Sequence, residues 1–240
     1  MSENKFDVVV IGAGPAGYPA AIRAAQNGLS VACVDSWENR DGTRAFGGTC
    51  LNAGCIPSKA LLESTELFHR AETEFKEHGI SVKDLILDLG KMQNRKQKIV
   101  KELTGGIEAL FRSNGVASFF GRGRLISDNR VEVKNPDGQV LSLTANHIIL
   151  ATGSIPIELS SAPFDHEFIV DSWGALDFTS VPKKLGIVGA GVIGLELGSV
   201  WQRLGSEVVM IEAFESFLPM ADEQIAKEAH RSFKRQGLDI

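Results

Sequence analysis

The chain has 240 residues and a formal net charge of −5, with 43% apolar and 23% charged residues. That length buries a substantial core and leaves room for one large domain or two modest ones. The acidic balance offers no basic surface for nucleic acid or an anionic membrane, and three cysteines do not make a disulfide framework.

The first residues, "MSENKFDVVVIG", carry only a short apolar run, too brief for a signal-peptide core or a membrane span. With no transit-peptide composition either, the expected location is the cytoplasm. Residues 6–11, "FDVVVI", read as a parallel strand buried on both faces. "GAGPAG" follows, then an Ala-rich helix closed by Gly28, then a second buried strand, "LSVACVD", that holds Cys33 as a small apolar residue.

Helical patterns are predicted from Ser58 to about Gly79 and from about Leu89 to Gly115. Lys91, Arg95, Lys96, Lys98 and Lys101 fall on the second of these, and their spacing reads as one solvated face. Strands follow between about 116 and 150, with a hairpin-type turn at Asn135 to Gly138. The Pro, Ser and Gly breaks from Gly153 to about Pro163 read as a crossing between domains.

At Lys184 the opening unit repeats: strand, "GAGVIG", helix, strand, with Gly12 and Gly189 separated by 177 positions. An amphipathic helix and the first residues of a further strand end the chain inside this second unit, which reads as the N-terminal part of something longer. The fold class expected is α/β with two Rossmann-like dinucleotide-binding domains. The first covers 1–155, a connection covers 156–180, and an incomplete second domain covers 181–240.

Both glycine motifs have the G-x-G-x-x-G spacing. Gly12 and Gly189 permit the tight turn, and Gly14 and Gly191 let backbone approach a pyrophosphate. Gly17 and Gly194 let helix pack on strand. An acid ends each second strand, Asp35 and Glu212, placed to accept from a ribose hydroxyl. A carboxylate at 212 repels a 2′-phosphate and favours NAD over NADP. Two nucleotide sites in one chain suggest electron transfer between two dinucleotides.

Cys50 and Cys55 are separated by four residues. A metal site needs about four ligands, and no His or Cys cluster accompanies them, so no metal is expected. Two readings stay open on the residues alone: unrelated buried thiols, or a redox pair whose thiolate is favoured by a helix start.

"GGTCLNAGCIPSKALL" resembles the redox segment of the pyridine nucleotide-disulfide oxidoreductases, most closely the branch that oxidises dihydrolipoamide. "VVVIGAGPAGY", "ILATGS" and "IVGAGVIGLELGSVWQRLGSEV" extend the likeness over the whole chain. The departures are Ala16 where glycine is common, Ala53 where valine is common, Asp35 in place of glutamate, and an insertion at Ser36 to Ala45. The shorter Asp35 implies a longer or water-bridged ribose contact.

The resemblance implies a Cys50–Cys55 disulfide, with Cys55 next to the flavin and Cys50 the interchange thiol. It implies that Lys59 approaches the flavin and pairs with Glu196. FAD would be held by Gly12, Gly14, Gly17, Asp35, Gly48, Thr49, Lys59, Gly123, Thr152, Gly153 and Ser154, and NAD by Gly189, Gly191, Gly194, Glu196 and Glu212. The partner implied is a lipoyl domain of a 2-oxoacid dehydrogenase acyltransferase or of the glycine cleavage carrier, in a homodimer.

Glutathione- and mercury-reducing branches share the cysteine spacing, but Leu51, Ser58 and Glu212 favour the lipoamide branch. A non-catalytic nucleotide-binding module is the reading from another class, and the intact cysteine pair stands against it. The family's His–Glu base comes from a C-terminal dimerisation domain. None of the five histidines has that sequence context, and His69 with Glu74 is rejected as the dyad because both fall on a charged, solvent-facing helix. The 240 residues alone are therefore expected to hold FAD weakly and not to turn over lipoamide.

Overall fold

The computed structural model describes residues 4–240, and the chain divides into two compact units. The first comprises residues 1–56 and 98–155, the second residues 57–97 and 156–240.

The first unit is built on β1 (Asn4–Ile11), a continuous apolar run that pairs in parallel with β2 (Val31–Asp35) and with β6 (Val140–Leu150). Such a strand needs cover on both sides, and the alternation of side chains supplies it. Val8 and Val10 face a cluster with Ala21, Phe46, Ile107 and Phe111, whereas Val9 and Ile11 face Val131, Val133 and Leu143. The helix α1 (Gly17–Gln26) belongs to the first side, as do parts of α2 (Gly48–Ala53), α3 (Cys55–Thr73) and α4 (Leu89–Ser113).

The sheet order is β3-β2-β1-β6-β5-β4, with β3 (Ala117–Phe120) parallel to β2. The strands β4 (Arg122–Ser127) and β5 (Arg130–Lys134) join antiparallel at the far edge. The turn at 135–138 closes β5 onto β6 through Asn135 N–H to the Gln139 carbonyl at 2.9 Å. The β4 strand folds back across the β1–β2 face: a Cβ at Gly123 would lie 2.9 Å from Ile11 and 3.2 Å from Val34.

The second unit carries a parallel pair, β7 (Lys184–Val188) and β8 (Glu207–Ile211), joined by α6 (Val192–Arg203). After α7 (Glu223–Arg235) the chain returns beside β8, where Val209 bridges Asp239 in parallel. Trp201 is fully buried with Leu61, Met92, Leu176 and Leu197, and its indole N–H donates to the Ala175 carbonyl at 3.1 Å, at the end of the short α5 (Ser172–Ala175).

Two sequence expectations change here. Residues 57–97, read as part of the first domain, pack with the second unit because Leu61 and Met92 join the core around Trp201. The cationic run on α4 is not a single solvated face. Lys96 is 3% exposed, donating to Asp177 at 2.5 Å and to the Leu176 carbonyl at 2.7 Å. Arg95 stays exposed but donates to the Ala60 carbonyl at 3.0 Å. Charge spacing shows which residues share a helix face but not whether an acid waits opposite it.

Candidate active site

The glycine loop of the first unit is shaped by contacts that no side chain would survive. A Cβ on Gly17 would stand 1.7 Å from the Gly12 carbonyl oxygen, and one on Gly12 would stand 2.0 Å from that of Ala151. The loop is thus wedged between the start of α1 and the chain leaving β6, which places Thr152, Gly153 and Ser154 beside it. The Thr49 hydroxyl donates to the Ser154 carbonyl at 3.3 Å, tying the cysteine segment to the same place.

Gly14 and Gly48 face each other. A Cβ on Gly48 would come within 2.8 Å of the Gly14 Cα. Gly47 and Gly48 both have positive φ, 109° and 57°, which lets the chain turn directly from Phe46 into α2. Asn52 clamps this turn, its amide nitrogen donating to the Phe46 carbonyl at 3.2 Å and the Gly48 carbonyl at 2.9 Å. The sequence reading passed over Asn52; its amide two residues after Cys50 was the available signal. Cys50 is half-buried on α2, and Cys55 is exposed at the start of α3.

Helix α1 begins without a side-chain cap and with no acid in its first turn, and so does α6. By contrast, α5 and α7 are capped by Asp171 and Asp222. A helix start leaves backbone N–H groups without intrahelical partners, so the two uncapped starts after the glycine motifs suit an anion. Glycines where a Cβ would block the approach, at helix starts with neither a capping side chain nor an acid, fit a bound dinucleotide pyrophosphate.

Asp35 is engaged on both oxygens, accepting from Ala13 N–H at 2.5 Å and from Trp37 N–H at 2.7 Å. The insertion beyond it is ordered by an antiparallel bridge between Glu38 and Arg44 and by the Trp37 indole N–H, which donates to Asn39 at 2.9 Å. With Phe120, Arg122 and Lys134 it lines a cavity of about 280 Å³, and the Arg44 guanidinium lies 5.6 Å from the Phe120 ring centre. Gly123 sits under this region, and its lack of a side chain is required by Ile11 and Val34.

The second unit repeats the loop geometry. A Cβ on Gly194 would lie 2.2 Å from the Gly189 carbonyl oxygen. Glu212 accepts from Ala190 N–H at 2.9 Å and from Phe214 N–H at 3.1 Å, and these bonds hold its carboxyl below the usual carboxylate range. Glu196 lies on α6, where Lys59 donates to one carboxylate oxygen at 2.5 Å and Ser58 to the other at 2.8 Å.

His69 is half-buried on α3, and Glu74 is engaged by Arg70 at 2.8 Å. The expectation of a solvent-facing His69 is therefore corrected, while its rejection as a base partner of Glu74 is unaffected. No group of three or more potential metal ligands occurs among the described residues. No helix among them is long and apolar enough to cross a membrane.

Residues 6–240 match the family model described as pyridine nucleotide-disulphide oxidoreductase. A dihydrolipoyl dehydrogenase of Cupriavidus necator is 50% identical over 241 aligned positions, covering 98% of this chain and 50% of the relative. A leghemoglobin reductase of Vigna unguiculata is 47% identical, covering 98% of this chain and 44% of its own length. Among solved structures, the Cu(II) complex of an HOCl-induced flavoprotein disulfide reductase from Escherichia coli superposes with a TM-score of 0.77 at 28% identity. It is covered over 49% of its length and covers 99% of this chain. The chain spans about half the length of the curated relatives it matches.

Proposed function

The chain belongs to the pyridine nucleotide-disulphide oxidoreductase family, and from that premise we propose that it carries the redox centre of a dihydrolipoyl dehydrogenase. FAD is held by the first unit and NAD by the second. The single observation that carries this reading is the apposition of Gly48 on Gly14, which sets the Cys50–Cys55 segment directly on a nucleotide loop. A thiol pair in that position serves a cofactor bound at the loop.

The glycine loop and the start of α1 would hold the pyrophosphate of FAD, and Asp35, with the cavity lined by Trp37 and Phe120, would receive its adenosine end. Asp35 presents to the ribose only those lone pairs that Ala13 and Trp37 leave free. In the second unit the Glu212 carboxylate, ionised at neutral pH, favours a ribose hydroxyl over a 2′-phosphate and so NAD over NADP.

In the oxidised state Cys50 and Cys55 form a disulfide. A thiolate of a dihydrolipoyl group attacks the Cys50 sulfur, forming a mixed disulfide, and Cys55 leaves as a thiolate. The second substrate thiol attacks the substrate sulfur of that mixed disulfide, closing the lipoyl ring and releasing Cys50 as a thiol. The substrate has lost two electrons and two protons, and the cysteine pair has gained the electrons. Bound FAD supplies the two-electron chemistry that links the Cys55 thiolate to hydride transfer onto NAD. Lys59, one helical turn after Cys55 on α3, carries the positive charge that stabilises the thiolate.

The substrate is a lipoyl domain of a 2-oxoacid dehydrogenase complex or of the glycine cleavage system, the active species is a homodimer, and the location is the cytoplasm. Full-length protein loaded with FAD should develop, on dithiol addition, the long-wavelength absorbance of a thiolate against oxidised flavin. Cys55→Ser should abolish it, and Cys50→Ser should make it permanent. A flavin-loaded protein that never shows this absorbance defeats the reading. Comparing lipoamide with oxidised glutathione, each with NADH and NADPH, separates the lipoamide branch from its neighbours.

A further inference from the structure

We infer that Ser58 is a positioning residue for the Lys59–Glu196 pair: its buried hydroxyl fixes the Glu196 carboxylate, which in turn fixes where the Lys59 ammonium stands. The inference rests on the function proposed above and assigns to Ser58 a task that the resemblance does not.

Three observations point the same way. Ser58 is 6% exposed, so its hydroxyl is largely removed from bulk water, and it donates to Glu196 Oε2 at 2.8 Å. Lys59 takes the other carboxylate oxygen at 2.5 Å, yet its side chain is 57% exposed. The third is their adjacency on α3: consecutive helical positions point about 100° apart, so the two donors grip the carboxylate from different directions.

Stiffness decides which partner directs the other. A lysine has four rotatable bonds and a solvated head, and an exposed ion pair of this kind orders a side chain poorly by itself. A serine has one heavy-atom torsion, here closed in by its surroundings. Its hydrogen bond is charge-assisted and shielded, which makes it the stronger geometric constraint. Without Ser58 the Glu196 carboxylate is free to rotate, and the Lys59 ammonium spreads over the volume its stem allows.

A purely structural serine predicts something different. Buried on a helix, Ser58→Ala would then be neutral or mildly stabilising, because alanine is the better helix former and loses no needed partner. The two roles therefore separate on a spectroscopic signal.

The experiment uses full-length, flavin-loaded protein and follows the long-wavelength absorbance on dithiol reduction. Ser58→Ala should lower its amplitude to about half or less of wild type, since losing a hydrogen bond to a charged group shifts a two-state population several-fold. Ser58→Thr, which keeps the hydroxyl, should restore most of it. In a Glu196→Gln background Ser58→Ala should add little, because its effect is transmitted by the carboxylate. An unchanged amplitude in Ser58→Ala, or an undiminished extra loss in the Glu196→Gln background, overturns the assignment while leaving the disulfide reading intact. A wild-type protein with no such absorbance takes down both.

Discussion

Glu212 accepts a hydrogen bond from the backbone N–H of Ala190, and 177 positions earlier Asp35 accepts one from Ala13 in the same way. Each acid lies 22 residues after the amide that it holds. The carboxylate at the end of the second strand therefore tethers the glycine loop, besides the ribose role proposed for it. Its removal should loosen the loop even when no nucleotide is present.

A pH dependence follows for Glu212. In the fold its carboxyl is held below the ordinary glutamate value, chiefly by the Phe214 and Ala190 amides. A depressed folded pKa contributes stability that is fully present above the unfolded value and is lost as pH falls through the folded one. Glu212→Gln should lower Tm at pH 7, and the gap to wild type should narrow as pH drops below about 4.5. Calorimetry across that range reads it directly; a gap independent of pH would remove the carboxylate from the explanation.

The two glycine loops should fail separately. Gly17→Ala places a methyl group 1.7 Å from the Gly12 carbonyl oxygen, and Gly194→Ala places one 2.2 Å from that of Gly189. Neither obstacle is a flexible side chain, so each substitution should cost on the order of 3 kcal/mol or more. Gly17→Ala should abolish FAD retention. Gly194→Ala should spare it and weaken NAD binding, a contrast measured by flavin content and by nucleotide titration. Loss of flavin from both would contradict the assignment of one cofactor to each loop.

Gly105 and Gly106 lie in the middle of α4, with nothing within 4 Å of where a Cβ would stand. Neither has a positive φ. Alanine at either position should therefore stabilise the protein by about 0.5–1 kcal/mol through the lower backbone entropy of the unfolded chain. Urea denaturation of the two single variants measures it.

Lys96 and Asp177 are unequal partners. The lysine side chain is 4% exposed and the aspartate 36%. Removing the acid leaves a buried ammonium, whereas removing the lysine leaves a carboxylate that water can reach. Asp177→Ala should cost about 3 kcal/mol and Lys96→Met less, with the double variant recovering part of the loss. A double-mutant cycle on Tm and urea midpoint decides it.

Cys33 should behave unlike its neighbours in the chain. Burial, reinforced by the charge of Asp35, pushes its thiol up to about 12. At pH 8 a thiol reagent added to the reduced native protein should label Cys50 and Cys55, and reach Cys33 only after unfolding. Peptide mapping after labelling identifies the sites.

The two strand-turn-helix-strand units and the 135–138 turn were legible because they rest on local rules: apolar runs, glycine spacing and turn residues. The placement of Lys59 against Glu196 was legible only through family resemblance, since nothing local links residues 137 positions apart. Lys96 escaped because a lysine among lysines on a helix carries no mark of the acid that it will meet. Residues 57–97 escaped because helical periodicity gives an apolar stripe without saying which core receives it. Ser58 was noticed as a mark of one branch of the family, not for its hydroxyl, and only the folded geometry shows that hydroxyl on a carboxylate.

The helices α3 and α4 each begin in one unit and end in the other, and so the polypeptide enters the second unit at residue 57, leaves it at 97 and returns at 156. No single cut in the gene yields either unit whole and free of residues from the other. Dissecting the protein into independently expressed pieces therefore requires bridging Ile56 to Lys98 with a linker, and a protease nick near residue 155 should leave the core of the second unit divided between two fragments while that of the first stays on one.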